Sequence, residues 1–222
     1  TSCATRMNER ALVIGHSDKN AAELLAIYTT FLNHLPDWAR PMTRAENRNE
    51  IVFQNPSARD RAREPGIGSR ISIDTARDTD AGAGYTVTLF HGSEVAREGW
   101  RNASTLFGTL DQSMPQPHVN PNTIKIIEST AEGQQGYFYD TWRKAEKGEC
   151  AYTPLFVGFW QEPTYALPTD AIGLTAEQIM ADLDENESKL VNGCRDLYGV
   201  EITPEQLAWR RWVIPNACQD SV

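Results

Sequence analysis

The sequence predicts an α/β fold with a mostly parallel sheet, helices on both faces, and a helical extension at the carboxyl-terminal end. Two observations lead to this prediction. Short apolar runs typical of buried strands alternate with segments of helical periodicity as far as residue 160, and only helical patterns follow. We therefore expect a sheet-containing part at residues 1–168 and a helical part at residues 169–222.

The first strand is predicted at residues 11–16, where Ala-Leu-Val-Ile-Gly-His forms a short apolar run typical of a buried parallel strand. Ser17 and Asp18 favour the start of a helix. Apolar residues at helical spacing then continue to Leu35, and Pro36 ends the helix. This pattern predicts the first strand–helix unit of the sheet.

Two antiparallel strands are predicted next, at residues 50–55 and 70–75, because the second alternates apolar and polar residues after a loop at 56–68. The remaining predicted elements are strands and helices in alternation, followed by helical segments alone. They are strands at 85–90, 123–130 and 153–160, helices at 97–110 and 136–147, and helical segments at 175–198 and from Thr203-Pro204 onward.

Composition limits the classes of function. The chain carries 30 acidic and 21 basic residues and a net charge of -9, which argues against an autonomous nucleic-acid-binding module but permits one local basic patch. Its four cysteines form no Cys-x-x-Cys pair, so free thiols in a reducing compartment are favoured over zinc or disulfides. No apolar run reaches membrane-spanning length, so no membrane partner is expected. The opening Thr-Ser-Cys-Ala-Thr, without an initiator Met, suggests an internal fragment.

A carboxylate and two hydroxyls follow predicted parallel strands. Glu94 comes after the strand at 85–90, and Ser129 and Thr130 end the strand at 123–130. Because ligands of such sheets bind outside the carboxyl ends of the strands, we expect these side chains to share one edge of the sheet. The chain contains no phosphate-binding loop that ends in Gly-Lys-Ser/Thr, so it would supply only half of a nucleotide site.

Structural roles compete with these functional interpretations. From the residues alone, Glu94 is interpreted as an N-cap or first-turn acid of the helix after the strand, and Ser93 as a plain N-cap. Ser129 and Thr130 would cap a turn, and Glu128 is expected to form a structural ion pair. A metal site built from His16, His91 and Glu94 is disfavoured, because positions three apart on a strand point to opposite faces. Four acids are expected to form a solvated helix face: Asp182, Asp184, Glu185 and Glu187.

Taken together, the order of several segments resembles the ATPase half of the large terminase subunit of tailed phages. No single segment is decisive, and the resemblance spans nearly the whole chain. The segments are Arg10 to His16, Asn55-Pro56, Gly66 to Ile71, Ser93 to Ala96, Ile127 to Gly133, Gly136-Tyr-Phe138, Pro154-Leu-Phe156 with Glu162-Pro163, and Gln206 to Trp212.

The resemblance implies an additional-strand P-loop NTPase fold whose first strand and P-loop are missing. In such a fold Glu94 ends the Walker B strand and orients the attacking water. Ser93 stands where the family commonly has Asp, and would hold Mg²⁺ only through a bound water. Ser129, Thr130 and Ala131 resemble the coupling motif that senses the γ-phosphate.

The chain departs from the family at the position of its charge-neutralising arginine. The family often has an arginine at the position of Ala83, and Arg70 or Arg77 would have to replace it.

The missing Walker A strand would lie between the strands at 123–130 and 153–160. We therefore expect a gap or an improvised pairing there, with unpaired edges that promote aggregation.

The implied function is that of a motor that packages viral DNA into a prohead by hydrolysing ATP with Mg²⁺. Its implied partners are double-stranded DNA, the portal protein, the small terminase subunit, and further copies in a ring. The implied location is the host cytoplasm, with transient docking on the procapsid, and the fragment alone is expected to be inactive. Residues 169–222 would lead toward an absent nuclease domain.

The sequence leaves two alternatives open. A superfamily-2-type helicase or translocase core would share the acid at a strand end, but Ser93-Glu-Val-Ala96 does not match its Asp-Glu-x-His/Asp run. A non-catalytic interaction domain, such as a decayed prophage remnant, is favoured by Ser93 and Ala83, which replace charged residues of the family.

Overall fold

The computed structural model describes residues 2–217, which fold as two compact units. The first unit ends at Pro154 and the second begins at Leu155. Residues 155–168, which the sequence pattern groups with the sheet, therefore belong to the second unit.

One mixed sheet forms the centre of the first unit. Its six strands are β1 (Arg10–Gly15), β2 (Ala45–Glu46), β3 (Glu50–Phe53), β4 (Ser69–Thr75), β5 (Leu89–Ser93) and β6 (Ile124–Glu128). They follow the order β2-β3-β4-β1-β5-β6. The four strands from β4 to β6 are parallel, and β2 and β3 are antiparallel to their neighbours. The predicted α/β class with a mostly parallel sheet is confirmed.

Seven α-helices accompany the sheet in the described residues. The first unit contains α1 (Ser2–Thr5), α2 (Asp18–Asn33), α3 (Ala103–Ser113) and α4 (Gly136–Glu146). The second contains α5 (Ala176–Ala181), α6 (Glu185–Tyr198) and α7 (Pro204–Ala217). Short 3-10 turns lie at Asp37–Ala39, Glu98–Trp100, Phe159–Gln161 and Thr169–Ile172. No helix between residues 2 and 217 is long and apolar enough to cross a membrane.

Helices cover both faces of the sheet because the side chains of β1 alternate between two cores. Leu12 and Ile14 pack in one core with residues of α3, among them Phe107. Val13 packs on the opposite face with residues of α2, among them Leu25. The predicted arrangement of helices on both faces is therefore confirmed.

The first half of the chain follows its predicted elements closely. Ser17 caps α2, and its side chain accepts a hydrogen bond from the backbone N–H of Asn20. The pairing of β3 with β4 is antiparallel as predicted, with Ile51 opposite Ile71.

Two strand predictions are wrong in different ways. The strand predicted at 85–90 lies at Leu89–Ser93, because its pairing with β1 begins at Leu89, opposite Ala11. The segment 153–160 forms no strand. Its apolar residues Leu155, Phe156 and Val157 are exposed, and Phe159–Gln161 form a 3-10 turn. An apolar run becomes a strand only where another strand offers its backbone hydrogen-bonding groups.

Two predicted helical regions contain helices whose bounds differ from the prediction. The region 175–198 divides into α5 and α6, because the side chain of Asp184 accepts a hydrogen bond from the N–H of Glu187 and so starts a second helix. The helix predicted at 97–110 begins only at Ala103, after the 3-10 turn Glu98–Trp100.

One acid of the predicted solvated face is buried in the second unit. Glu187 accepts hydrogen bonds from Arg211 at 2.8 and 2.7 Å and lies among the buried residues. These bonds hold the pKa of Glu187 below its usual value against the opposing effect of desolvation. The expectation that Glu187 faces solvent is therefore wrong, because Arg211 supplies the partner that a buried carboxylate requires.

Candidate functional site

The carboxyl ends of β5 and β6 bring three sequence-predicted residues together. Ser93 ends β5 opposite Glu128, the last residue of β6, so the residues that follow each strand are neighbours. Oε2 of Glu94 accepts hydrogen bonds from Oγ of Ser129 at 3.4 Å and from Oγ1 of Thr130 at 3.2 Å. The acid and the two alcohols thus share one edge of the sheet, as the strand pattern predicts.

Glu94 has an unusual backbone conformation. Its φ of 56° lies in the left-handed region, which costs a residue with a Cβ about 1 kcal/mol. The turn is held by the N–H of Val95, which donates to the carbonyl of Glu128, and by the N–H of Ala96, which donates to Oγ of Ser129, both at 3.1 Å. Strained conformations of this kind persist only where the surrounding contacts hold them, and they concentrate at functional sites.

The capping alternatives for Ser93 and Glu94 are not what the structure shows. The next helical segment is the 3-10 turn that begins at Glu98 with Arg97 as its N-cap, and α3 follows with Asn102 as its N-cap. Glu94 therefore lies outside the first turn of either segment.

Ser93 is buried beneath this turn. Its carbonyl accepts a hydrogen bond of 3.0 Å from Nε1 of Trp100, and its hydroxyl donates to the carboxylate of Glu128. A serine hydroxyl that donates to a carboxylate can still accept a hydrogen bond from a metal-bound water. The resemblance-based role of Ser93 as an indirect Mg²⁺ ligand therefore stays a prediction.

Glu128 forms the polar pairing predicted for it. Its Oε1 lies 3.3 Å from Nε2 of His91, whose Nδ1 lies 2.8 Å from the hydroxyl of Tyr28. Partial burial raises the pKa of Glu128, but hydrogen bonds from His91, Ser93 and the N–H of Glu94 outweigh that effect and lower it overall. Glu128 is thus an ionised support for the backbone at Glu94.

The two arginines suggested from the sequence are not brought to Glu94. Arg70 lies near the amino end of β4, in register with Arg10, and its NH1 lies 3.4 Å from Oε2 of Glu50. Arg70 thus lies at the amino ends of the parallel strands, whereas Glu94 follows the carboxyl end of β5. A role for Arg70 beside Glu94 within the same chain is therefore excluded. Arg77 is exposed just after β4, at the same edge as Glu94 but two strands away from β5. Ala131 is exposed immediately after Thr130.

Arg97 is the charged residue that the sequence pattern does not single out. Its Nε lies 3.4 Å from Oε2 of Glu94, and its NH1 lies 3.1 Å from Oε2 of Glu132. The sequence could have suggested this contact, because Arg97 lies three residues after Glu94 and a tight turn can bring such residues together. The turn itself becomes evident only from the left-handed backbone at Glu94.

Between residues 2 and 217, no group of three or more histidines, cysteines or acids is arranged to hold a metal ion. The comparisons with known proteins add no identity: no protein-family model matches the chain, and no curated protein sequence matches it significantly.

The chemistry available at this edge is that of one well-anchored carboxylate. Oε2 of Glu94 receives two hydroxyl donors and the guanidinium of Arg97, whereas Oε1 has no hydrogen-bond partner among the described residues. A carboxylate held by one oxygen can use the other to orient a water molecule or to accept its proton. The arrangement therefore suits a hydrolytic reaction that attacks a group placed outside β5 and β6.

Proposed function

We propose that this chain is part of an ATP-hydrolysing motor of the phage-terminase type, and that Glu94 orients the attacking water. The observation that carries the proposal is the convergence of Glu94 with Ser129 and Thr130 at the carboxyl ends of two adjacent parallel strands. Phosphoryl transfer requires mainly positioning and charge stabilisation, and a strand end provides rigid positioning.

The open edge of β6 supports an additional-strand P-loop NTPase fold. β6 ends the sheet in the described residues, and its Ile124 and Ile126 are 43% and 51% exposed. A further parallel strand paired with β6 would cover these side chains and place its following loop beside Ser129 and Thr130. We assign the phosphate-binding loop to such a strand, supplied by polypeptide outside this sequence.

The residues present fit ATP and Mg²⁺ only in part. Mg²⁺ prefers six oxygen ligands, commonly one or two carboxylates together with phosphates and waters. Glu94 offers one carboxylate, and the hydroxyl of Ser93, which donates to Glu128, could contribute only by accepting from a metal-bound water. Most of the binding of the metal and the phosphates would therefore fall to the missing loop, and this chain alone would be inactive.

The same proposal names the partners and the place of action. A packaging motor would act on double-stranded DNA in a ring of identical subunits, together with a portal protein and a small terminase subunit. It would work in the host cytoplasm while docked on the procapsid. The net charge of -9 is compatible with DNA contact through a local patch only.

Substitution of Glu94 tests the proposal in the product of the complete gene. Glu94→Gln should abolish ATP turnover and leave ATP binding largely intact, because the amide keeps the shape of the side chain but cannot accept a proton. Glu98→Gln, which changes an exposed acid in the same segment, is the matched control and should retain turnover. Wild-type turnover by Glu94→Gln would remove Glu94 from the mechanism.

A non-catalytic interaction domain is the second candidate, and the surroundings of Ser93 favour it. The hydroxyl that would have to serve the metal is buried and bound to Glu128. Under this alternative, the complete gene product would bind its partners without hydrolysing ATP. Turnover measured in the wild-type protein therefore separates the two candidates.

A further inference from the structure

Arg97 is the cation that contacts Glu94 in the described residues, and it also reaches the loop that follows β6. The guanidinium joins two carboxylates, with Nε 3.4 Å from Oε2 of Glu94 and NH1 3.1 Å from Oε2 of Glu132. Its side chain is about half exposed, so these ion pairs remain accessible to solvent and add little to stability. Their value lies in the geometry they impose.

The three donors to Glu94 converge on one oxygen. Arg97, Ser129 and Thr130 all approach Oε2, at 3.2 to 3.4 Å. Each contact is long and weak alone, but together they restrict rotation of the carboxylate and leave Oε1 available. The contact from Arg97 comes from the segment after β5, and the other two come from the segment after β6.

The turn that carries Arg97 is itself held in place. The N–H of Arg97 donates to the carbonyl of Glu94 at 2.9 Å, and the carbonyl of Arg97 accepts from the N–H of Trp100 at 3.0 Å. Gly99 lies so close to β1 that a Cβ there would stand 2.0 Å from the carbonyl oxygen of His16. The backbone of Arg97 is therefore held on both sides by these contacts.

We propose that Arg97 is a positioning residue that couples the orientation of Glu94 to the loop at 129–133 through Glu132. The proposal rests on the proposed hydrolytic function. A displacement of Glu132 would withdraw one anchor of Arg97 and loosen the carboxylate of Glu94.

Kinetics of the complete gene product test this role. Arg97→Ala should lower kcat for ATP about tenfold and leave KM nearly unchanged. The reason is that Arg97 orients Glu94 and does not itself bind ATP. Arg97→Lys, which keeps the charge, should recover part of the loss. Arg101→Ala, an exposed arginine of the same segment that pairs with Glu98, is the matched control and should keep wild-type kcat.

A double-mutant cycle tests the coupling. Glu132→Gln should lower kcat about threefold, and the double variant with Arg97→Ala should be no slower than Arg97→Ala alone, because both changes break one bridge. An Arg97→Ala variant with unchanged kcat, or fully additive losses in the double variant, would overturn the proposal while Glu94→Gln still decides the hydrolytic function separately.

Hydrogen exchange gives a readout that needs no turnover. In this 222-residue chain, Arg97→Ala and Glu132→Gln should each accelerate amide exchange in the peptide that covers residues 129–136, and Arg101→Ala should not. Unchanged exchange in both variants would show that no bridge restrains the loop, and would overturn the proposal even if the protein hydrolyses no ATP.

Discussion

At the scale of single residues, the site depends on one strained position. Glu94 adopts a φ of 56°, and the contacts that hold it come from its neighbours: the carbonyl of Glu128, the hydroxyl of Ser129 and the indole of Trp100 through Ser93. The turn directs the carboxylate toward the residues after β6. A glycine would relieve the strain but would remove the only acid at this position.

Two variants that both delete the Glu94 carboxylate measure this strain. Glu94→Gly should be more stable than Glu94→Ala by about 1 kcal/mol, because only the alanine retains a Cβ in the left-handed region. Urea denaturation of the 222-residue chain would provide both free energies of unfolding. Equal stabilities, or a more stable alanine variant, would contradict a left-handed turn at Glu94.

At the scale of elements, aromatic packing fixes the end of β5. Phe107 of α3 stacks on Trp100 at a centroid distance of 5.6 Å and on Tyr137 of α4 at 4.5 Å. Trp100 in turn donates its indole N–H to the carbonyl of Ser93. Helices α3 and α4 thus orient the segment that connects β5 to α3, and this segment contains both Glu94 and Arg97.

Two glycines of this region should respond oppositely to alanine. Gly99→Ala should destabilise the chain by about 2 kcal/mol or more, because the new Cβ would clash with the backbone carbonyl of His16, the residue that follows β1. Gly108→Ala should stabilise it by about 0.5–1 kcal/mol, because Gly108 lies within α3 and a Cβ there meets no atom within 4 Å. Thermal unfolding compares the pair, and destabilisation of similar size in both would contradict the close approach at Gly99.

At the scale of the whole chain, the main structural liability is the free edge of β6. An edge strand offers unpaired backbone groups, and Ile124 and Ile126 add exposed apolar surface beside them. The exposed run Leu155 to Val157, which does not pair with a strand, presents further apolar surface in the second unit. The chain therefore carries surfaces that suit additional polypeptide.

A charge placed on the β6 edge should reduce association between copies. Ile126→Lys should lower light scattering by the concentrated 222-residue chain and change the free energy of unfolding by less than about 0.5 kcal/mol, because the site is exposed. Val119→Lys adds the same charge at an exposed position outside the strand and should reduce scattering less. If both variants reduce scattering equally, net charge rather than the edge governs association.

The sequence alone determined the α/β class, the antiparallel pairing of β3 with β4, and the meeting of Glu94, Ser129 and Thr130 at one edge. These features follow from local patterns, since apolar runs mark buried strands and parallel strands share a direction. It did not determine that residues 153–160 remain outside the sheet, because a strand exists only if another strand pairs with it.

Tertiary structure also decided the surroundings of three side chains, those of Ser93, Arg70 and Arg97. Burial places the hydroxyl of Ser93 against Glu128, and strand register places Arg70 at the amino ends of the parallel strands. A left-handed turn brings Arg97 to Glu94. Each outcome depends on which residues lie opposite one another across strands distant in sequence. Such neighbours are set by the packing of the whole unit, and no pattern along the chain encodes them by itself.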